Sequence, residues 1–131
     1  LISSLSPQTM IQQIYTFTSQ ANIKEWNIVN DGVMGGISNS SLDLTTEGHG
    51  KFSGLVSLAN NGGFASVQLN KTILLPEDVK FVVLRVKGDG RAYEFRLKGA
   101  NGQPESYVQP FATSGKWEEI KLKISEFYPQ F

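Results

Sequence analysis

The chain contains no cysteine and a single histidine. The first absence removes disulfides, thiolate nucleophiles and cysteine-ligated zinc. The second excludes a multi-histidine metal site, and with no serine or cysteine nucleophile motif near the one histidine the sequence argues against a triad as well. His49 stands between Gly48 and Gly50 and reads as an exposed loop residue. An excess of charge of either sign is also missing. Twelve Lys and Arg balance twelve Asp and Glu, and no basic run supplies the phosphate neutralisation that nucleic-acid binding needs. No apolar stretch approaches the roughly 20 residues of a membrane-spanning helix. Gly88-Asp89-Gly90-Arg91 lacks the Lys-Ser/Thr ending of a phosphate loop and leads into a strand, so its Asp-Gly core reads as hairpin-turn chemistry. The expectation is therefore no cofactor, no metal, no nucleic-acid partner and no membrane span; the compartment stays open.

What is present is a β pattern. At 131 residues the chain fits one domain with a real core, burying about two-thirds of the surface its unfolded form exposes. Tyr93, Phe95 and Leu97 alternate with Glu94, Arg96 and Lys98, and Ile120, Leu122 and Ile124 alternate with Glu119, Lys121 and Lys123, as half-buried strands require. Further strands are predicted over 42–44, 51–58, 64–69, 81–87 and 105–112, separated by Gly- and Asn-rich turns. Phe81 to Val86 is apolar on both faces up to Arg85, which predicts a central strand covered on both sides and an arginine in need of a partner. Pro110 cannot donate to a ladder, which predicts an edge strand or a bulge. Near the start, Ser6 as cap, Pro7 at the first helical position and the stripe Met10, Ile11, Ile14 predict a short helix through Tyr15. Many short strands at regular spacing predict a sandwich or barrel.

The segment from Trp26 to Ser38 is the most distinctive. Asn30-Asp31-Gly32 suits left-handed backbone, and Gly35-Gly36 allows tight folding or close approach, so the segment reads as a corner between strands. Trp26, Trp117 and Phe111 read as core or rim packing. Asp31, Asp89, Asn60, Asn61 and Glu47 lie on predicted loops and carry calcium-type oxygens, but without EF-hand spacing they read as turn residues. Strand parity offers Ser66, Gln68, Arg85, Arg96, Tyr107 and Gln109 as polar-face residues. They are either the lining of one concave surface, fit for a sugar, a carboxylate or a peptide backbone, or the solvated outer face of a sandwich.

Four motifs in order carry a resemblance: Trp26 to Ser38, Asn60 to Ser66, Arg85 to Tyr93, and Phe111 followed by Gly115-Lys116-Trp117. Together they resemble the complex I intermediate-associated protein 30 family from Phe17 onward. The resemblance implies an all-β, galactose-binding-like jelly-roll β-sandwich and, in mitochondria, a chaperone role in assembling respiratory NADH:ubiquinone oxidoreductase. It brings no catalytic residues. Trp26, Asn30, Asp31, Gly32, Met34, Gly35, Gly36, Asn61, Gly63, Arg85, Asp89, Arg91 and Tyr93 carry over as signature positions only. Relatives resemble Phe127 to Phe131 and then continue through an arginine-rich turn into further strands. A single sandwich domain over 1–131 is thus expected to lack those strands and to present an apolar edge.

Two functions follow as expectations. A non-enzymatic assembly module would bind a protein partner, such as respiratory complex subunits; a jelly-roll carbohydrate-binding module would use Tyr107, Arg85, Arg96 and Gln68. An enzyme is disfavoured because no local motif sets the paired carboxylates of a glycosidase at about 5 to 9.5 Å, Glu94 and Glu105 being the one pair worth testing. If Gly35 shapes the corner, Gly35→Val lowers the thermal unfolding midpoint. Unchanged melting with lost partner binding would instead make the segment a binding site.

Overall fold

A computed structural model describes residues 12–30, 39–55, 65–99 and 106–130. Their strands are β1 (Trp26–Asn30), β2 (Asn39–Leu44), β3 (Gly50–Leu55), β4 (Ala65–Leu69), β5 (Phe81–Lys87), β6 (Ala92–Lys98), β7 (Ser106–Ala112), β8 (Trp117–Lys123) and β9 (Tyr128–Gln130). All pairings are antiparallel, and the only helical elements described are 3₁₀ turns at Ile23–Glu25 and Ile124–Glu126. The fold class is all-β, with the antiparallel sheets a β-sandwich requires. The chain divides into two compact units, Leu1–Ile73 and Leu74–Phe131.

The first unit contains two ribbons. β1 pairs with β4 from Trp26↔Leu69 to Asn30↔Ala65, and β2 pairs with β3 from Asn39↔Leu55 to Leu44↔Gly50. Trp26 anchors an aromatic cluster: it stacks on Phe17 at 5.5 Å and receives the edge of Tyr15 at 5.1 Å. This fits the irregular, non-helical path of Gln12 to Tyr15, against the helix that the capping signals predict. Residues two apart share one side of an extended chain, whereas on a helix Tyr15 and Phe17 would point in nearly opposite directions. The rest of the expected helix, at 6–11, lies outside the described residues. His49 is half-buried rather than exposed, because its turn closes on itself: Thr45 N–H donates to His49 O at 2.8 Å and His49 N–H donates to Thr45 Oγ1 at 3.0 Å.

The second unit contains the β5–β8 ladder and the three-stranded sheet β6-β7-β9. Its buried apolar residues are Val82 at 5 % exposure, Leu122 at 2 % and Val108 at 0 %. Val82 and Leu122 are register partners, so one face of the β5–β8 ladder forms core. The two sheets are tied by Gln109 of β7, whose Nε2 donates to Lys123 O of β8 at 2.8 Å.

Two strand expectations need correction. β5 is not covered on both faces: Phe81 is 43 % exposed and Val83 48 %, while Val82 is buried. Among the described residues its only strand partner is β8, and the two-residue period sends alternate side chains to solvent even where they are apolar. β7, with Pro110, is the middle strand of its sheet rather than an edge. Proline is tolerated because the ladder to β9 stops at Val108↔Tyr128, short of Pro110. β9 was hidden in the sequence by Pro129, which an edge strand accepts.

Because Val108 is fully enclosed, Val108→Ala should cost about 2 kcal/mol, from two lost methyl groups plus a cavity. Val83→Ala, at an exposed position of the same unit, should stay within about 0.5 kcal/mol. Urea unfolding of both variants compares the two; equal losses would contradict this inside-outside assignment.

Candidate functional site

The residues expected to line one polar surface are divided between the two units, and within the second unit they lie on different sheets and faces. Ser66 and Gln68 lie on β4 in the first unit, where Ser66 Oγ donates to Val29 O at 3.0 Å. Arg85 lies on β5, and Arg96, Tyr107 and Gln109 lie on the other sheet of the second unit. Within that sheet Arg96 is opposite Val108, so Arg96 is on one face, whereas Tyr107 and Gln109 point to the other. Gln109 is 7 % exposed and committed to Lys123 O. Arg96 donates to Ser106 Oγ at 3.0 Å and Gln130 Oε1 at 2.6 Å, and faces Glu94 at 3.5 Å. It fastens all three strands of its sheet. Of the carboxylate pair singled out in the sequence, Glu94 is therefore in an ion pair, and Glu105 lies outside the described residues.

The signature residues Asp89, Arg91 and Tyr93 do converge, at the turn joining β5 to β6; these strands pair with β8 and β7 rather than with each other, so the turn is a corner between two sheets and not the hairpin that its Asp-Gly pair suggests. Tyr93 OH donates to Asp89 Oδ1 at 2.7 Å, Arg91 N–H donates to the same oxygen at 3.2 Å, and Arg91 Nε sits 3.7 Å from Asp89 Oδ2. Gly90 takes the left-handed conformation, φ +87°, that this turn requires. Thr113, just beyond β7, completes the corner: its Oγ1 accepts from Gly90 N–H at 3.1 Å and donates to Arg91 O at 2.7 Å. A Cβ on Gly88 would overlap the Thr113 side chain, so that glycine is required by close approach. Tyr93 also stacks on Phe111, with centroids 6.1 Å apart. Nothing in the sequence pattern pointed to Thr113, whose role comes from a contact 23 residues away.

Beside this corner lies the outer face of the β5–β8 ladder. Arg85 Cζ is 5.5 Å from the centroid of the Trp117 ring, so the partner that Arg85 needs is an aromatic face. Lys121 Nζ is placed likewise over Phe81 at 5.8 Å. Trp117 is 44 % exposed, rather than a core residue. The signal was available: Trp117 has the strand parity of Glu119, Lys121 and Lys123, which put it on the polar side. Trp26 and Phe111 are half-buried, as core or rim packing implies.

Asp31, Gly32, Met34, Gly35, Gly36, Asn61 and Gly63 lie outside the described residues, so the corner from 31 to 38 is not part of this description. The backbone of Asn30 ends β1 opposite Ala65. Among the described residues, no three His, Asp or Glu side chains gather as metal donors, and no helix is long and apolar enough to cross a membrane. Of the loop oxygens, Asp89 is occupied by Tyr93 and Arg91, as a turn residue would be.

The hydrogen bond from Tyr93, aided by Arg91 N–H and the Arg91 charge, holds the Asp89 carboxyl below its ordinary pKa. Partial burial and the bond to Asp89 raise the Tyr93 phenol. A carboxyl whose folded pKa is depressed adds stability above its unfolded value near ~3.9, and that stability is lost as pH falls through the folded pKa. Tyr93→Phe should therefore move the Asp89 titration upward and flatten this part of the acid-side stability loss. Carboxyl NMR and melting curves between about pH 2 and 7 would show it. An Asp89 titration unchanged in the variant would rule out the phenol as the cause.

No curated protein and no solved structure matches the chain significantly. A family model does, and it spans both units: the model for complex I intermediate-associated protein 30 matches residues 15–131. With nearly the whole chain matched, and the converging Asp89, Arg91 and Tyr93 within the match, this protein belongs to the complex I intermediate-associated protein 30 family.

Proposed function

We propose that the chain is a non-enzymatic module that binds a protein partner during assembly of respiratory complex I. The observation that carries this reading is the family match over residues 15–131. The local chemistry agrees with it. At the β5–β6 turn Tyr93 OH and Arg91 N–H donate to Asp89, and Thr113 Oγ1 bonds the backbone of Gly90 and Arg91, which is the work of a scaffold. Recognition then falls to a broad sheet surface, the kind of surface that a protein partner can cover.

A jelly-roll carbohydrate-binding role is the second reading. It draws on Tyr107, 42 % exposed on β7, where an aromatic ring can stack on a sugar. Arg96 and Gln109 do not join Tyr107 in this role, since one is on the opposite face and the other is committed to Lys123 O.

Affinity capture of the tagged chain from respiring cells of its native source, followed by mass spectrometry, tests the assembly reading. Complex I subunits or partly assembled intermediates should be enriched over a tag-only control. No such enrichment, together with a glycan-array signal abolished by Tyr107→Ala, would replace assembly with sugar binding.

A further inference from the structure

The outer face of the β5–β8 ladder combines features that an ordinary solvated sheet face does not need. Its register places four rows of side chains side by side: Lys87 with Trp117, Arg85 with Glu119, Val83 with Lys121, and Phe81 with Lys123. Every row contains a cation. Three of the four also contain a large apolar side chain, with Phe81 43 %, Val83 48 % and Trp117 44 % exposed. The face thus carries four cations against one carboxylate, on a chain whose formal net charge is +0. Positive charge is concentrated here, and apolar surface is interleaved with it.

We propose that this face docks an acidic, extended segment of a partner protein, in which carboxylates are interspersed with aromatic or aliphatic side chains. The proposal rests on the protein-binding reading above and names the surface that reading requires. Charge complementarity selects the acidic partner. The row spacing selects an extended one: alternate residues of a strand lie about 6.7 Å apart, so alternate side chains of a second extended chain can match the rows one for one. The cation–ring pairs prepare the surface. Arg85 and Lys121 are already held over Trp117 and Phe81, so less side-chain freedom is lost on binding. A stacked guanidinium still presents N–H groups at its edge, where a carboxylate can be accepted by two of them. Nucleic acid fits less well, because Glu119 interrupts the cations and three exposed apolar side chains would lie against phosphates.

The test is fluorescence anisotropy on the whole chain. The probe is a labelled peptide of glutamates interspersed with phenylalanine and leucine. Comparison ligands are polyglutamate of equal charge, a lysine-for-glutamate version, and a single-stranded oligonucleotide. The probe should bind saturably, weaken with salt, and bind at least about tenfold tighter than polyglutamate. Two double variants remove the two halves of the surface: Arg85→Gln with Lys121→Gln, and Phe81→Thr with Val83→Thr. Circular dichroism and melting should show both folded, since the positions are exposed and threonine suits a strand. Each should weaken the probe about tenfold, while Lys98→Gln on β6 should not. The proposal is overturned by absent saturable binding, by affinity unchanged from the original chain in both double variants, by an equal loss in Lys98→Gln, or by an oligonucleotide that binds more tightly than the peptide. Complex I intermediates captured equally by the original chain and both double variants would overturn this face but leave the assembly role standing. Failure of capture with intact peptide binding would do the reverse.

Discussion

Because successive strand residues point to opposite faces, the register of β5 on β8 decides both the interior and the exterior of the second unit. One set of pairs, led by Val82↔Leu122, is buried. The intervening set, from Lys87↔Trp117 to Phe81↔Lys123, faces outward. A slip of one residue would bring lysines into the core and expose Val82. The burial of Val82 and Leu122 therefore holds the outer face in place, although neither residue touches that surface.

The structural roles and the proposed recognition roles fall on different residues. The β5–β6 turn is held by bonds from Tyr93 OH and Arg91 N–H to Asp89 and by Thr113 Oγ1 on the backbone of Gly90 and Arg91. Its function is to bring β5 into β6 at a fixed corner, with Gly90 supplying the backbone conformation and Gly88 the close approach. The side chains best placed to meet a partner, Arg85, Lys121, Phe81 and Trp117, lie outside that knot on the neighbouring sheet face. In the first unit Trp26 has the matching structural role, gathering Tyr15 and Phe17 beside β1.

Much of the fold was legible in the sequence for a simple reason: the two-residue period is local. The alternation of Tyr93 to Lys98 and of Glu119 to Lys123 located β6 and β8, and the Asp-Gly pair located the turn between β5 and β6, though not that it joins two sheets. Most of the misreadings concern partners distant in the chain. A continuous apolar run at Phe81 to Leu84 gave no indication that one of its faces would meet water. Pro110 said that a donor was missing but not which neighbour could do without it. Helix signals near Ser6 carried no information about Trp26, whose ring meets Tyr15 and Phe17 on a non-helical path.

By itself the sequence determined the all-β class, the strand periods, the turn at Asp89-Gly90 and, through its motifs, the family. These depend on intrinsic backbone preferences and on spacing along one strand. Only the tertiary structure decided that Arg96 and Tyr107 belong to opposite faces, that Gln109 is a tie between sheets, and that Arg85 and Trp117 form one surface. Those outcomes depend on strand register and sheet partnership, and both are set by contacts between segments that no local pattern encodes.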